Sequence, residues 1–196
     1  AGSITAKFIE NCTVESLGNI TVLGGLFHCK TAALGDIDLG EKGRIVGGSC
    51  RSFKNIRCGS AGNQAQTPTA LYGGINFVVE RRLQYAQEKQ NTATQVLQEV
   101  EKDVRYKPTE KLIELHAQLK QTIENLQNVV SSLLATLYSP EDTTLTIYGK
   151  VYPGVMVFMG GASFLVEQEG SGVVFLLDRA TSKIRMEPYH PNPPPK

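Results

Sequence analysis

Apolar and polar residues along this chain follow two different periods. Before residue 76 the apolar positions come in short alternating runs punctuated by Gly, Asn or Asp, a pattern that predicts short β-strands. Leu17-Gly18-Asn19-Ile20-Thr21-Val22 returns as Leu34-Gly35-Asp36-Ile37-Asp38-Leu39 and again as Phe53-Lys54-Asn55-Ile56-Arg57-Cys58, at steps of seventeen and nineteen residues. A second register, Phe8-Ile9, Leu26-Phe27 and Ile45-Val46, keeps the same pitch. One such unit cannot bury its own apolar side, so successive units must stack. A parallel β-helix satisfies this with Ile20, Ile37 and Ile56 inside, Asn19, Asp36 and Asn55 in a polar column at one corner, and Asp38 beside Arg57 outside. Cys12 and Cys29 hold equivalent places in the repeat and read as small core residues.

The period then changes. Between Asn76 and Tyr138 there is no glycine and one proline, Pro108, near the midpoint. Val79, Leu83, Ala86, Gln90, Ala93, Leu97, Val100 and Val104 are spaced by four and three, as are Leu112, Leu115, Leu119, Thr122, Leu126, Val129 and Leu133. A mean spacing near 3.5 is the seam of a coiled coil. Each flank is about 29 residues, hence about 43 Å of helix. Equal arms around a short turn predict an antiparallel hairpin that leaves a body and returns to it. Ile123, Val130, Leu134 and Leu137 then form an extra apolar stripe beside the seam, a candidate contact for the β-helix edge, for a second copy or for a partner helix.

Strand-like sequence resumes at Thr144–Ile147 and Val151–Val157. Phe164–Glu167 and Val173–Leu177, separated by Gly170-Ser171-Gly172, predict a β-hairpin, and Ile184–Met186 a last strand. The proline-rich end from Pro188 to Lys196 predicts an extended, disordered tail.

Composition changes little in this picture. The net charge is +1, with 20% charged residues, and no block carries the excess of cations expected of a dedicated nucleic-acid binder. No apolar run approaches the ~20 residues of a membrane span, and the N-terminus lacks the layout of a secretory signal. Four cysteines without a CxxC pair suggest reduced thiols and a cytoplasmic setting. Arg44, Arg51, Lys54 and Arg57 fall within fourteen positions and are a candidate docking surface for an acidic partner.

No catalytic, cofactor or metal residues are assigned. His28, His116 and His190 are scattered, and His116 lies about 33 Å from the helix end by helical rise. The enzymatic alternative is a hexapeptide-like β-helical acyltransferase with His28 as general base, since Val14, Ile20 and Leu26 are six apart. That step is not sustained, because Leu26 to Ile37 is eleven. A metal held by Cys12, His28 and Cys29 would need neighbours on one strand to point the same way, whereas they alternate. Gly40-Glu41-Lys42-Gly43 lacks the ending of a phosphate loop and reads as a tight turn.

Several segments carry a family resemblance. Ala6-Lys7-Phe8-Ile9-Glu10-Asn11, Lys42-Gly43-Arg44-Ile45-Val46-Gly47-Gly48, Gly59-Ser60-Ala61-Gly62 and Tyr152-Pro153-Gly154-Val155, in this order around the helical insert, resemble the flagellar assembly protein A family. The resemblance covers most of residues 4–186 and implies a bacterial, cytoplasmic, non-catalytic protein of flagellar assembly or placement at the cell pole. Many members carry a further N-terminal domain, so this chain reads as a C-terminal portion. The fold expected is mainly β with an α insertion: a single-stranded, right-handed parallel β-helix interrupted by a long antiparallel coiled-coil hairpin. Handedness rests on the irregular rung length and on the resemblance. Its parts are rungs over 1–75, the hairpin over 76–138, a return to β-structure over 139–187 and the tail over 188–196. The function expected is that of a scaffold or adaptor for protein partners of the flagellar or polar machinery, with a homodimer through the coil open. A polymer built by stacking rung ends is a further alternative.

Overall fold

The computed structural model describes residues 2–191. The chain divides into two units, a body formed by Ala1–Phe77 with Tyr138–Lys196 and a helical unit formed by Val78–Leu137.

The body is a β-solenoid. Its first rung is β1 (Ile4–Glu10) and β2 (Thr13–Ser16), its second β3 (Ile20–Ala33), and its third β4 (Ile37–Asp38) and β5 (Arg44–Ser52). The fourth is β6 (Ile56–Cys58), β7 (Ser60–Ala61) and β8 (Thr69–Gly73), and the fifth β9 (Thr144–Val151) and β10 (Val155–Met159). All pairings between successive rungs are parallel. One ladder stacks Ile4, Ile20, Ile37, Ile56 and Leu145. A second stacks Ile9, Leu26, Ile45, Ala61 and Val151. A third stacks Val14, Thr31, Cys50, Leu71 and Val157. Ile20, Ile37 and Ile56 are buried as expected, and the inward positions of all three ladders form one core.

Side chains at one corner lock the rungs in register. Ser3 Oγ accepts from the Asn19 amide, Asn19 Oδ1 from the Asp36 amide, Asp36 Oδ1 from the Asn55 amide, and Asn55 Oδ1 from the Thr144 amide. Each of these residues thus does for the next rung what a ladder carbonyl does for a strand. The last link spans 89 residues, at 2.9 Å, and joins the two sides of the helical insert as if they were consecutive rungs. Ile75 and Tyr138 form an antiparallel bridge, and the Ser139 amide donates to Gly74 O, so the chain leaves and re-enters the body at one place. At another corner Asn11, His28, Gly47 and Gly154 all take positive φ, which turns each rung sharply.

Antiparallel strands close the solenoid after the fifth rung. β11 (Ala162–Leu165) pairs with β10, and β12 (Gly170–Asp178) pairs with both β9 and β13 (Lys183–Pro188). The hairpin expected between 164–167 and 173–177 is therefore replaced by two others. Gly160 and Gly161, at φ 55° and 85°, form the two-residue turn between β10 and β11, a conformation other residues resist. Gly172 lies instead at an irregularity of the β12–β9 ladder. Pro188 ends β13 and the Tyr189 amide donates to Gly172 O. The remainder of the expected tail, 192–196, lies outside the described residues.

The insert forms α1 (Phe77–Tyr106) and α2 (Glu110–Leu137). Pro108 lacks an amide and cannot continue α1, while Thr109 Oγ1 accepts from the Leu112 amide and caps α2. On α1 the expected seam positions are all buried or half-buried. On α2 three of the seven are not. Leu115 and Val129 are 40% and 45% exposed and Thr122 is exposed, whereas His116, Ile123, Val130 and Leu137 are covered along with Leu112, Leu119, Leu126 and Leu133. Of the expected stripe, Ile123, Val130 and Leu137 are covered and Leu134 is 49% exposed. The reason is volume: Ile123, Val130 and Leu137 bury more carbon than Thr122, Val129 and Thr136, and the hydroxyls of Thr122 and Thr136 back-bond to Gln118 O and Ser132 O.

Candidate interaction surfaces

The basic residues between 44 and 57 do not form one patch. Fourteen residues cover most of one rung, so their side chains are dealt around its circumference. Arg44 opens β5 on the second ladder, level with Gly25 and Ser60. Arg51 lies on the third ladder, 4.3 Å above the Tyr72 ring, and donates to Ser49 Oγ at 2.7 Å. Tyr72 in turn stacks on Phe158 at 4.5 Å. Lys54 occupies the bend before β6, and Arg57 on the first ladder meets Asp38 at 3.7 Å, the ion pair expected from the repeat. Arg51, Lys54 and Arg57 therefore follow one another around a single corner, and Arg44 stands apart.

The histidines stay separate. His28 is a corner residue with φ 54°, and His190 is exposed beyond β13. His116, half-buried on α2, lies 3.3 Å from Glu101 Oε1 of α1, with Lys120 at 4.0 Å from the same oxygen. Cys29, Cys50 and Cys58 are buried and Cys12 is exposed. The Cys29 thiol donates to Phe27 O. Burial pushes the Cys58 thiol up to about 12 and the Cys50 thiol higher still, so neither is a nucleophile near neutral pH.

Described residues of the body line two recesses of note. The larger, about 750 Å³, is bounded by the insert stem at Gly73, Gly74, Tyr138 and Ser139 and by Arg179 and Arg185. Its cations are engaged. Arg179 donates to Ser139 O and Glu141 O and pairs with Asp142 at 3.3 Å, and Arg185 lies near Asp178 and Glu187. This recess fixes the returning strand. The smaller, about 270 Å³, lies between Arg44, Ser60, Gly62, Lys150 and Tyr152 on the second ladder. Ser60, Gly62 and Tyr152 stood in the segments that carry the family resemblance, but Lys150 was not named and the group was not read as a site, because its members become neighbours only when rungs of unequal length stack across the insert.

Parallel rungs, stacked inward ladders and a hydrogen-bonded polar corner define a β-solenoid protein with two inserted helices. The family model for the flagellar assembly protein A β-solenoid domain matches residues 1–182, and the chain belongs to that family. No curated protein and no solved structure matches it. No helix among the described residues is long and apolar enough to cross a membrane.

Proposed function

We propose that this chain is a non-enzymatic scaffold or adaptor in bacterial flagellar assembly or polar flagellar placement, working in the cytoplasm through contacts with protein partners. Membership of the flagellar assembly family carries the reading. A body locked in register by ladder and corner hydrogen bonds holds surface side chains at fixed spacing, which is what a docking platform requires. The partner surface proposed is the corner carrying Arg51, Lys54 and Arg57, aimed at an acidic protein.

The helices are proposed to form an antiparallel coiled-coil hairpin that adds a second contact element. Covered positions 104 and 112, 100 and 116, 97 and 119, 93 and 123, 90 and 126, 86 and 130, 83 and 133, and 79 and 137 are each equidistant from Pro108. The Glu101–His116 contact across the turn supports the same pairing. Leu115 and Val129 on one flank and Ile113 and Leu134 on the other are exposed and available to a second copy or a partner helix.

The test is complementation of a deletion strain. Charge reversal at Arg51, Lys54 and Arg57 together is expected to abolish normal flagellation and salt-sensitive partner capture while leaving the unfolding midpoint close to wild type. Normal flagella with the triple variant would overturn the docking surface. Normal flagella in the deletion strain itself would overturn the function.

A further inference from the structure

The smaller recess is a notch built by side-chain size. On one outward column the second ladder carries Arg44, Ser60 and then Lys150, because Arg44 pairs with Ser60 and the next residue of each rung, Ala61, pairs with Val151. The neighbouring outward column carries Val46, Gly62 and Tyr152, tied by the Gly62 amide to Ile45 O and the Tyr152 amide to Ala61 O. The middle rung is small in both columns, and the rungs on either side are long. Gly62 is held at φ 79°, and a Cβ there would lie 2.7 Å from Val155 Cγ2, so the floor cannot readily be filled.

What faces the notch is almost entirely donor. Arg44 is exposed, and neither its guanidinium nor the hydroxyls of Ser60 and Tyr152 make a side-chain hydrogen bond or ion pair among the described residues. Lys150 Nζ spends one proton on Glu169 Oε1 at 2.6 Å and keeps two. The Asn63 amide at the rim is committed to Thr67 through both its nitrogen and its oxygen. Glu169 is thus the single carboxylate paired at the site, against two cations and two hydroxyls.

We propose that this notch binds one phosphoryl group. Arg44 and Lys150 stand two rungs apart, roughly 9.6 Å at the backbone. That gap suits a tetrahedral group, which can present separate oxygens to a cation above, a cation below, the Ser60 hydroxyl on the floor and the Tyr152 hydroxyl at the side. A carboxylate has two oxygens in one plane and leaves part of this donor set idle. The site is independent of the scaffold reading, and it separates Arg44 from the three other cations of its sequence cluster.

The experiment is an amide-shift titration of the 196-residue chain with inorganic phosphate at constant ionic strength, with acetate in parallel. Saturable shifts at Ser60, Gly62 and Tyr152 with phosphate, and far weaker ones with acetate, are expected. Arg44→Gln should weaken phosphate binding about tenfold, the loss of one charge-assisted contact. Ser60→Val should abolish binding by replacing the floor hydroxyl with a methyl group, with amide shifts elsewhere unchanged as proof of folding. A phosphoserine peptide binding more tightly than free phosphate assigns the group to a protein partner, and the reverse order assigns it to a small molecule; both support phosphoryl recognition. Non-saturating shifts, equal response to acetate, or wild-type affinity in Arg44→Gln would overturn it.

Discussion

The body and the helical unit solve the problem of register by opposite means. In the stacked rungs the backbone ladder bonds run from one rung to the next, so sliding one rung would break the ladder and the corner chain through Asn19, Asp36 and Asn55 together. In the helices the backbone bonds close within each segment, and in the coiled coil proposed above only side-chain volume decides which stripe of α2 is covered. The body's register is therefore over-determined, and the helices' register rests on a difference between two apolar columns one residue apart.

The strongest attack on this contrast is inside the ladder. Ile37 is fully buried between Ile20 and Ile56. Ile37→Ala is expected to cost about 3–4 kcal/mol, read by urea unfolding, because rungs held by their backbone bonds cannot collapse into the space. A cost below about 1 kcal/mol would mean that the column is not close-packed.

Next comes the corner. Asn55 accepts from the Thr144 amide and hydroxyl and donates to Asp36, so Asn55→Ala strands groups on both sides of the insert. A loss of about 2 kcal/mol is expected. Native-state hydrogen exchange should show the Thr144 amide losing protection while the Asn19 amide keeps its own. Equal loss at both would show that the corner acts only through global stability.

A smaller difference tests the helices. Ile123→Ala should cost about 1–1.5 kcal/mol, and Thr122→Ala less than about 0.5 kcal/mol. The reverse order would restore the register in which Leu115, Thr122 and Val129 face the partner helix.

These elements also show where the sequence was transparent. The rungs were legible because Leu-Gly-Asn-Ile and its copies recur at one pitch, and the polar column and the Asp38–Arg57 pair follow from stacking alone. The covered positions of α1 were legible because most of their neighbours are polar. On α2 three columns carry apolar residues, 112-119-126-133, 115-122-129 and 116-123-130-137, and spacing cannot choose between the last two. The covered column includes His116, whose contact with Glu101 of α1 becomes visible only in the structure. The terminal hairpins were misassigned because Gly170-Ser171-Gly172 resembles a turn as closely as Gly160-Gly161 does. The phosphoryl notch was invisible because its members lie sixteen and ninety residues apart, on either side of the insert.

The subtlest consequence concerns alkaline pH, and it belongs to the body alone, which holds all four cysteines. Burial raises the Cys50 and Cys58 thiols, and neighbouring Cys58 adds to the effect on Cys50. A group whose pKa is higher folded than unfolded stabilises fully below its unfolded value, and that contribution is lost as pH rises toward the folded one. Stability should hence be flat through neutrality and begin to fall near pH 9, by about 0.4 kcal/mol per buried thiol at that pH. Cys58→Ala should leave a shallower alkaline slope than wild type, whatever its effect on stability at pH 7. An unchanged slope would mean that Cys58 ionises as freely in the folded chain as in the unfolded one. A thiol reagent gives the matching count: Cys12 alone should react in the native protein and all four cysteines in urea.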